Sequence, residues 1–198
     1  MEIHSIIKIT YAIFVTMSLL LSKYEKNTLQ RNLGFIHSSM NFLALYALSF
    51  GLTSIPTGEG SQNIIFTVLG WLVMSDAIFT LTHRTLHTPT FYWIHKQHHL
   101  NNSKTGTYST STFDSHILEF LFGNVATALI PPLILRGTDT MQMVWFVTAT
   151  INTILSHTNV SQWGFGEGPH LIHHRRMKCN YGQGLYLWDR LLGTYSVS

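Results

Sequence analysis

One cysteine, Cys179, is all the sequence contains, which excludes a disulfide framework and a cysteine-rich zinc module. Charge is also scarce: Asp, Glu, Lys and Arg make up 11% of 198 residues, against roughly 25% in an ordinary soluble domain. The net charge is +3, yet the bases form no long stripe of the kind that tracks nucleic acid, so nucleic acid is not an expected partner. Internal repeats, low-complexity tracts and heptad patterns are missing. So is a clean signal peptide, because no Ala-x-Ala-type site follows the first apolar run and further apolar segments come after it. Apolar residues are plentiful at 45%, and there are twelve histidines, more than the nine Asp and Glu together. The length suits one domain. This composition points to a membrane protein that handles metal.

A bilayer-crossing helix needs about 20 mostly apolar residues. Ile3–Ser22 is interrupted by His4 and Lys8 and has the shortest apolar core, whereas Leu33–Leu52 and Gln62–Thr82 are longer, the latter holding one acid, Asp76. Ile117–Leu135 ends near Pro131-Pro132, and Met141–Ser156 is short enough for a tilted span or half of a re-entrant hairpin. The segment 100–112 is a polar loop by composition. If the helix ending at His83 runs toward the cytosol, loops 23–32 and 83–116 and the C-terminal tail are cytosolic, and loop 53–61, with Glu59 and no base, is outside. Ten of the twelve bases (Lys23, Lys26, Arg31, Arg84, Lys96, Lys104, Arg175, Arg176, Lys178 and Arg190) then share one side, leaving Lys8 and Arg136 on the other. That is the asymmetry of a cytosolic face. The expected fold is therefore all-α integral membrane, with about four to five transmembrane or re-entrant helices and a cytosolic histidine-rich helical cap. It forms a single membrane domain over 1–198, with N-terminal spans in 1–69.

Three histidine clusters stand out: His83-Arg-Thr-Leu-His87, His95-Lys-Gln-His98-His99 and His170-Leu-Ile-His173-His174. Residues at i, i+3 and i+4 share a helix face, so each cluster aims two or three imidazoles at one point. At this chain's histidine frequency, H-x-x-H-H arises by chance about 0.04 times, and here it occurs twice. Imidazole suits Fe, Zn, Cu and Ni, which leaves the metal open. Eight histidines exceed what one tetrahedral zinc uses, so two metals are the natural count. Asp76, two helical turns before His83 on the same face, costs about 2.5–3.5 kcal/mol if charged in mid-bilayer. It is expected to receive an imidazole N–H and fix its tautomer, with an internal polar contact between helices as the alternative. His116 and His157 each sit at the cytosolic end of an apolar segment, level with the clusters, and are candidate ligands, with capping as the alternative. Glu119, three residues past His116, is placed to orient it or to favour a helix N-terminus.

The order of these features resembles the fatty acid hydroxylase / sterol desaturase superfamily of membrane non-haem di-iron enzymes. Asp76, His83-Arg-x-x-His87, Pro89, Trp93, His95-x-x-His98-His99, His116-x-x-Glu119, His157-Thr-Asn159 and His170-x-x-His173-His174 come first. Asn180-Tyr-Gly182 and Trp188-Asp-Arg-Leu-Leu-Gly-Thr194 complete the set over about residues 70–195, the catalytic region on this resemblance. The last two motifs have no evident metal role and read as packing and pairing within the cap. The resemblance implies O2-dependent hydroxylation or desaturation of a lipid, sterol or fatty acyl among them. Its cofactor would be two Fe, bound by His83, His87, His95, His98, His99, His157, His170, His173 and His174. With no flavin or dinucleotide fingerprint, electrons are expected from a separate donor of cytochrome b5 or ferredoxin type with its NAD(P)H reductase. The location implied is the cytoplasmic membrane of a bacterium or the endoplasmic reticulum of a eukaryote. Three alternatives compete. A metal carrier predicts ionisable residues spread through several spans, whereas the histidines gather at one face. A b-type cytochrome needs single histidines facing each other across helices. A catalytically inactive member would be expected to have lost box histidines, and all eight are present.

Overall fold

The computed structural model describes residues 2–22, 28–51, 54–58, 63–103, 109–158 and 168–197. Lys23, Lys26, Glu59, Gln62, Lys104 and Asn159, used above, lie outside the described residues. The helices in chain order are α1 (Ile3–Ser22), α2 (Thr28–Leu48), α3 (Ile64–Leu86), α4 (Tyr92–Ser103), α5 (Ile117–Ile134), α6 (Asp139–Ser156), α7 (Pro169–Arg176) and α8 (Leu187–Leu191). Among the described residues there is no strand, only an isolated antiparallel bridge between Glu2 and Ser54.

Four stretches are long and apolar enough to cross a bilayer: Ile3–Leu21, Leu29–Gly51, Ile64–Leu86 and Ile117–Ile134. The first runs unbroken through its two polar residues because α2 accommodates them. The His4 ring lies 5.1 Å from that of Tyr46 and 5.3 Å from that of Phe50, and the Lys8 ammonium sits 5.9 Å from the Tyr46 ring. Leucines such as Leu19, Leu29, Leu43 and Leu69 face outward along these helices, an exposed apolar surface of the kind that lipid covers. The short fifth stretch begins earlier than its apolar run, at Asp139, where the Thr138 hydroxyl accepts from Met141 N–H at 3.3 Å. Its 18 residues reach about 27 Å. Its Gln142 is fully buried and donates to the Pro56 carbonyl at 2.9 Å.

α5 is interrupted twice. Phe120–Val125 winds as a π-helix between two α-helical segments, a departure frequent at functional sites. Pro131 and Pro132 lie inside the helix rather than at its end. Each proline lacks the N–H that a carbonyl four residues earlier would accept. The Ala128 carbonyl is satisfied instead by the Trp145 indole N–H at 2.8 Å, which ties α6 to the break.

An aromatic cluster of Phe14, Phe42, Phe113 and Phe120 holds α1, α2 and α5 together, with ring pairs such as Phe42–Phe113 packed edge to face at 5.2 Å. A second cluster, Ile6, Ile55 and Phe146, joins α1 to α6. α4 and α7 gather at the C-terminal ends of α3 and α6, and α8 packs on α3. The histidine-bearing ends of four helices therefore meet in one place.

Candidate metal centre

His83 and His87 close α3, His95, His98 and His99 lie on α4, His157 follows α6, and His170, His173 and His174 lie on α7. The structure brings nine ring nitrogen sets together in two groups. His83, His87, His95, His99 and His173 form one, and His98, His157, His170 and His174 the other; within each, the nearest ligand atoms all lie within 4.8 Å of one another. Pairs at i, i+4 (His83 and His87, His95 and His99, His170 and His174) stay within a group, while His98 and His173 cross to the other. Each H-x-x-H-H cluster thus serves both groups.

The protons on these rings are fixed from outside. His83 Nδ1 lies 2.7 Å from the Tyr181 carbonyl oxygen, His173 Nδ1 2.7 Å from that of Cys179 and His157 Nδ1 2.9 Å from that of Thr153. A carbonyl only accepts, so Nδ1 carries the proton and Nε2 offers a lone pair. His95 Nδ1 lies 2.9 Å from Glu119 Oε1. Burial, then the neighbouring imidazoles, holds His95, His98, His170, His173 and His174 well below the usual histidine value. Burial takes His87 and His157 to about 4, and burial with His87 and His157 nearby takes His99 to about 3. All are neutral at pH 7.

The inward Nε2 atoms are too close for that arrangement to stand alone. His87, His99 and His173 form a closed triangle with edges of 3.0, 3.2 and 3.2 Å. His83 and His95 approach to 3.0 Å, and His98–His157–His170–His174 form a chain of 3.1, 3.1 and 3.2 Å. A neutral ring nitrogen is a donor or an acceptor, not both, so hydrogen bonds leave the triangle unsatisfied. A cation satisfies it. With metal–nitrogen distances of about 2.1 Å, ligands at right angles stand about 3.0 Å apart and tetrahedral ones about 3.4 Å. The observed spacings favour the former, and five donors in one group exceed a closed tetrahedral zinc. The donor set fits imidazole-ligated transition metals, iron among them.

The other expected residues fall differently. His116 joins neither group: its Nδ1 accepts from Leu118 N–H at 3.2 Å, capping α5, and its ring packs on Trp93 at 5.3 Å. The polar cap at the start of a helix is the stronger demand on a side chain in that position. Glu119 faces His95 rather than His116, because the first turn of α5 points it into the cap, where it is buried. Asp76 contacts no imidazole. Seven residues put it about 10.5 Å from His83 along the axis, and the C-terminal segment reaches it first: Tyr186 and Trp188 donate their N–H groups to it, each at 3.1 Å.

Two buried residues of that segment belong to the motifs that the sequence reads as packing and pairing within the cap, without individual roles. Asp189, fully buried, accepts from Tyr181 N–H at 2.9 Å, Gly182 N–H at 2.6 Å and the Thr194 hydroxyl at 2.6 Å. It therefore holds the peptide whose carbonyl faces His83. Gly182 has no alternative there, since a Cβ would fall 2.7 Å from Asp189 Oδ2. Asn180, in the left-handed region at φ 52°, donates to the Pro169 and Ser196 carbonyls at 3.0 and 2.8 Å. It pins the start of α7. The only signal in the sequence was their presence in polar motifs with no other evident use.

Beneath the histidines lies an apolar cavity of about 470 Å³ among α1, α3, α5 and α6. A second space of about 20 Å³, room for one water, is walled by His83, His95, His98, His157 and Glu119 among others. Phe79, Gly123 and Asn124 border both.

Comparisons with known proteins complete the description. The fatty acid hydroxylase family model matches residues 67–194. Fatty acid hydroxylase domain-containing protein 2 of Macaca fascicularis is 34% identical over 135 residues, covering 63% of this chain and 39% of the relative. Delta(7)-sterol 5(6)-desaturase ERG3 of Saccharomyces cerevisiae is 28% identical over 144 residues, covering 69% and 38%. Ornithine lipid hydroxylase OlsE of Rhizobium tropici is 31% identical over 146 residues, covering 66% and 42%. The chain thus spans about two fifths of the length of these curated relatives. No solved structure matches it significantly.

Proposed function

The chain belongs to the fatty acid hydroxylase family, and from that premise we propose that it uses O2 to oxidise an unactivated C–H bond of a lipid at two histidine-held irons. The observation that carries this reading is a junction. An apolar cavity large enough for a lipid chain meets, across Phe79, Gly123 and Asn124, a water-sized chamber walled by histidines of both groups. The sterol desaturase and lipid hydroxylase among its relatives support a lipid as the substrate class.

His83, His87, His95, His99 and His173 would hold one iron, and His98, His157, His170 and His174 the other. Bound there, the pair supplies O2 activation and the oxidising power for C–H cleavage. The protein's own contributions are positional. The carbonyls of Tyr181, Cys179 and Thr153 keep three imidazoles in the Nε2-ligating tautomer. Glu119 holds His95 in place. The buried rings and the apolar cavity exclude water from the reacting end of the lipid. Hydroxylation consumes O2, two electrons and two protons per C–H bond and releases one water. The electrons come from a separate donor of cytochrome b5 or ferredoxin type with its NAD(P)H reductase. The excess of bases at the histidine end sets that end in the cytosol, where such a donor has access, and the whole chain works as one membrane domain.

The test is the lipid profile of membranes expressing the protein under isotopically labelled O2. A lipid that gains one labelled oxygen or loses two hydrogens is expected, and it should vanish with the His98→Ala/His173→Ala pair. Identical profiles for wild type and variant, with both proteins present in the membrane, would overturn the proposal.

A further inference from the structure

The side-chain amides that border the large cavity, Asn124, Asn152 and Gln183, stand at the end beside the histidines. Far from them its wall is formed by Ile3, Ile6, Leu48, Ile55 and Trp145. Three of the hydroxyls that border the cavity are satisfied within their own helices: Thr10 donates to the Ile6 carbonyl at 3.0 Å, Thr150 to that of Phe146 at 2.8 Å, and Thr153 to that of Ala149 at 2.9 Å. Near the histidines, Asn124 and Asn152 border the same space, and among the described residues neither side chain makes a hydrogen bond. Gln183 lies there too, its amide donating to the Ser156 hydroxyl at 2.7 Å and leaving its carbonyl for another partner.

This end of the lining also reaches the surface. Asn152, Gly184 and Leu185 are exposed, and a Cβ on Gly184 would lie 3.9 Å from Asn152 Nδ2, so loop and helix meet at the rim. Asn152 is five residues before His157, about 7.5 Å along the helix. An amide that borders an apolar cavity without a partner of its own favours a polar group on the ligand. Asn124 stands at the throat into the water-sized chamber, on the π-helical turn.

We propose that the cavity binds an amphiphilic lipid by its polar end. The polar group lies at the rim against Asn152 and Gln183, Asn124 holds the adjoining carbon in the throat, and the tail runs toward Trp145. Oxidation then falls within a few carbons of the polar group rather than at the tail. The inference deepens the proposed C–H oxidation by fixing which end of the lipid is presented, and it rests on that reading for its chemistry but not for its geometry.

Binding tests it without turnover. Two probes are used on the full chain in detergent: a sixteen-carbon fatty acid brominated at its terminal carbon, and the same acid brominated beside its carboxyl. Bromine quenches nearby tryptophan emission, and the part due to Trp145 is read by difference from a Trp145→Phe variant. The terminally brominated acid is expected to quench the Trp145 emission, and the carboxyl-end one to leave it. Asn152→Leu with Gln183→Leu should weaken binding of the acid about tenfold, the loss of one or two hydrogen bonds. Displacement of the probe by the sixteen-carbon alkane should be unchanged. Equal quenching by both probes, quenching by the carboxyl-end probe alone, or equal losses for acid and alkane would overturn the proposal. Tail quenching in a protein that binds no iron would support the orientation while contradicting the C–H oxidation reading. Full iron content with carboxyl-end quenching would contradict the orientation alone.

Discussion

His83 Nδ1 lies 2.7 Å from the carbonyl oxygen of Tyr181, a residue 98 positions further along the chain. Tyr181 is in turn fixed through its N–H by the buried Asp189. His83 therefore takes its tautomer from the C-terminal segment, and the motif around Asp189 supports the candidate metal site from outside it. A buried carboxylate that satisfies two backbone N–H groups and a hydroxyl is hard to replace.

Asp189→Ala should lower metal affinity about 10- to 100-fold, the usual cost of losing a residue that orients a ligand. Metal content after dialysis against graded chelator measures it. An unchanged retention curve would show that Tyr181 is held without Asp189.

Glu119→Leu should act in the same direction through His95, with a loss of about tenfold or more in metal retention. His116→Ala, by contrast, removes a helix cap and a contact with Trp93. It should leave metal content unchanged and lower stability by about 1 kcal/mol. Comparing the two variants by elemental analysis and thermal unfolding checks both assignments, and metal loss in His116→Ala would contradict the second.

Gly123 sits where the apolar cavity meets the histidine chamber, and a Cβ there finds only Glu119 Cγ, at 3.8 Å. Gly123→Ala should therefore fold and bind metal normally. Gly123→Leu should keep its metal yet fill the throat, reducing lipid oxidation about tenfold or more by displacing the reacting carbon. Full oxidation by Gly123→Leu would place the reacting carbon elsewhere.

Acid should destabilise the metal-free protein in a defined window. Folding lowers the pKa of His87 and His157 to about 4 and of His99 to about 3, against about 6.5 when unfolded. The unfolded chain then binds more protons below pH 6.5. The stability these groups contribute is complete above that value and is lost as pH falls from 6.5 toward 4, by about 1.4 kcal/mol per pH unit for each histidine. Thermal unfolding of chelator-treated protein in detergent reads this, and a midpoint constant from pH 7 to pH 5 would contradict it.

The histidine clusters were legible because i, i+3 and i+4 spacing needs nothing beyond one helix. Their division into groups of five and four was not, since it depends on how α4 and α7 are rotated against each other. Asp76 shows the same limit: its face on α3 could be read from spacing, but the N–H groups that reach it come from 110 and 112 residues away. The spans were legible from apolar length. The unbroken course of α1 through His4 and Lys8 was not, because it relies on aromatic rings of α2. Nor does composition announce the π-helical turn of α5, which has no residue signature and follows from how the helix meets its neighbours.

The decisive measurement is metal stoichiometry by elemental analysis of purified protein, for the wild type and a His170→Ala/His174→Ala variant, with helical content checked by circular dichroism. Both substitutions fall in the group of four, leaving the group of five intact. The result expected is about two irons per chain in the wild type and about one in the variant, following four- and five-donor sites that bind separately. One metal per chain in the wild type, or equal content in both proteins at undiminished helicity, would contradict a two-metal centre built from these nine histidines.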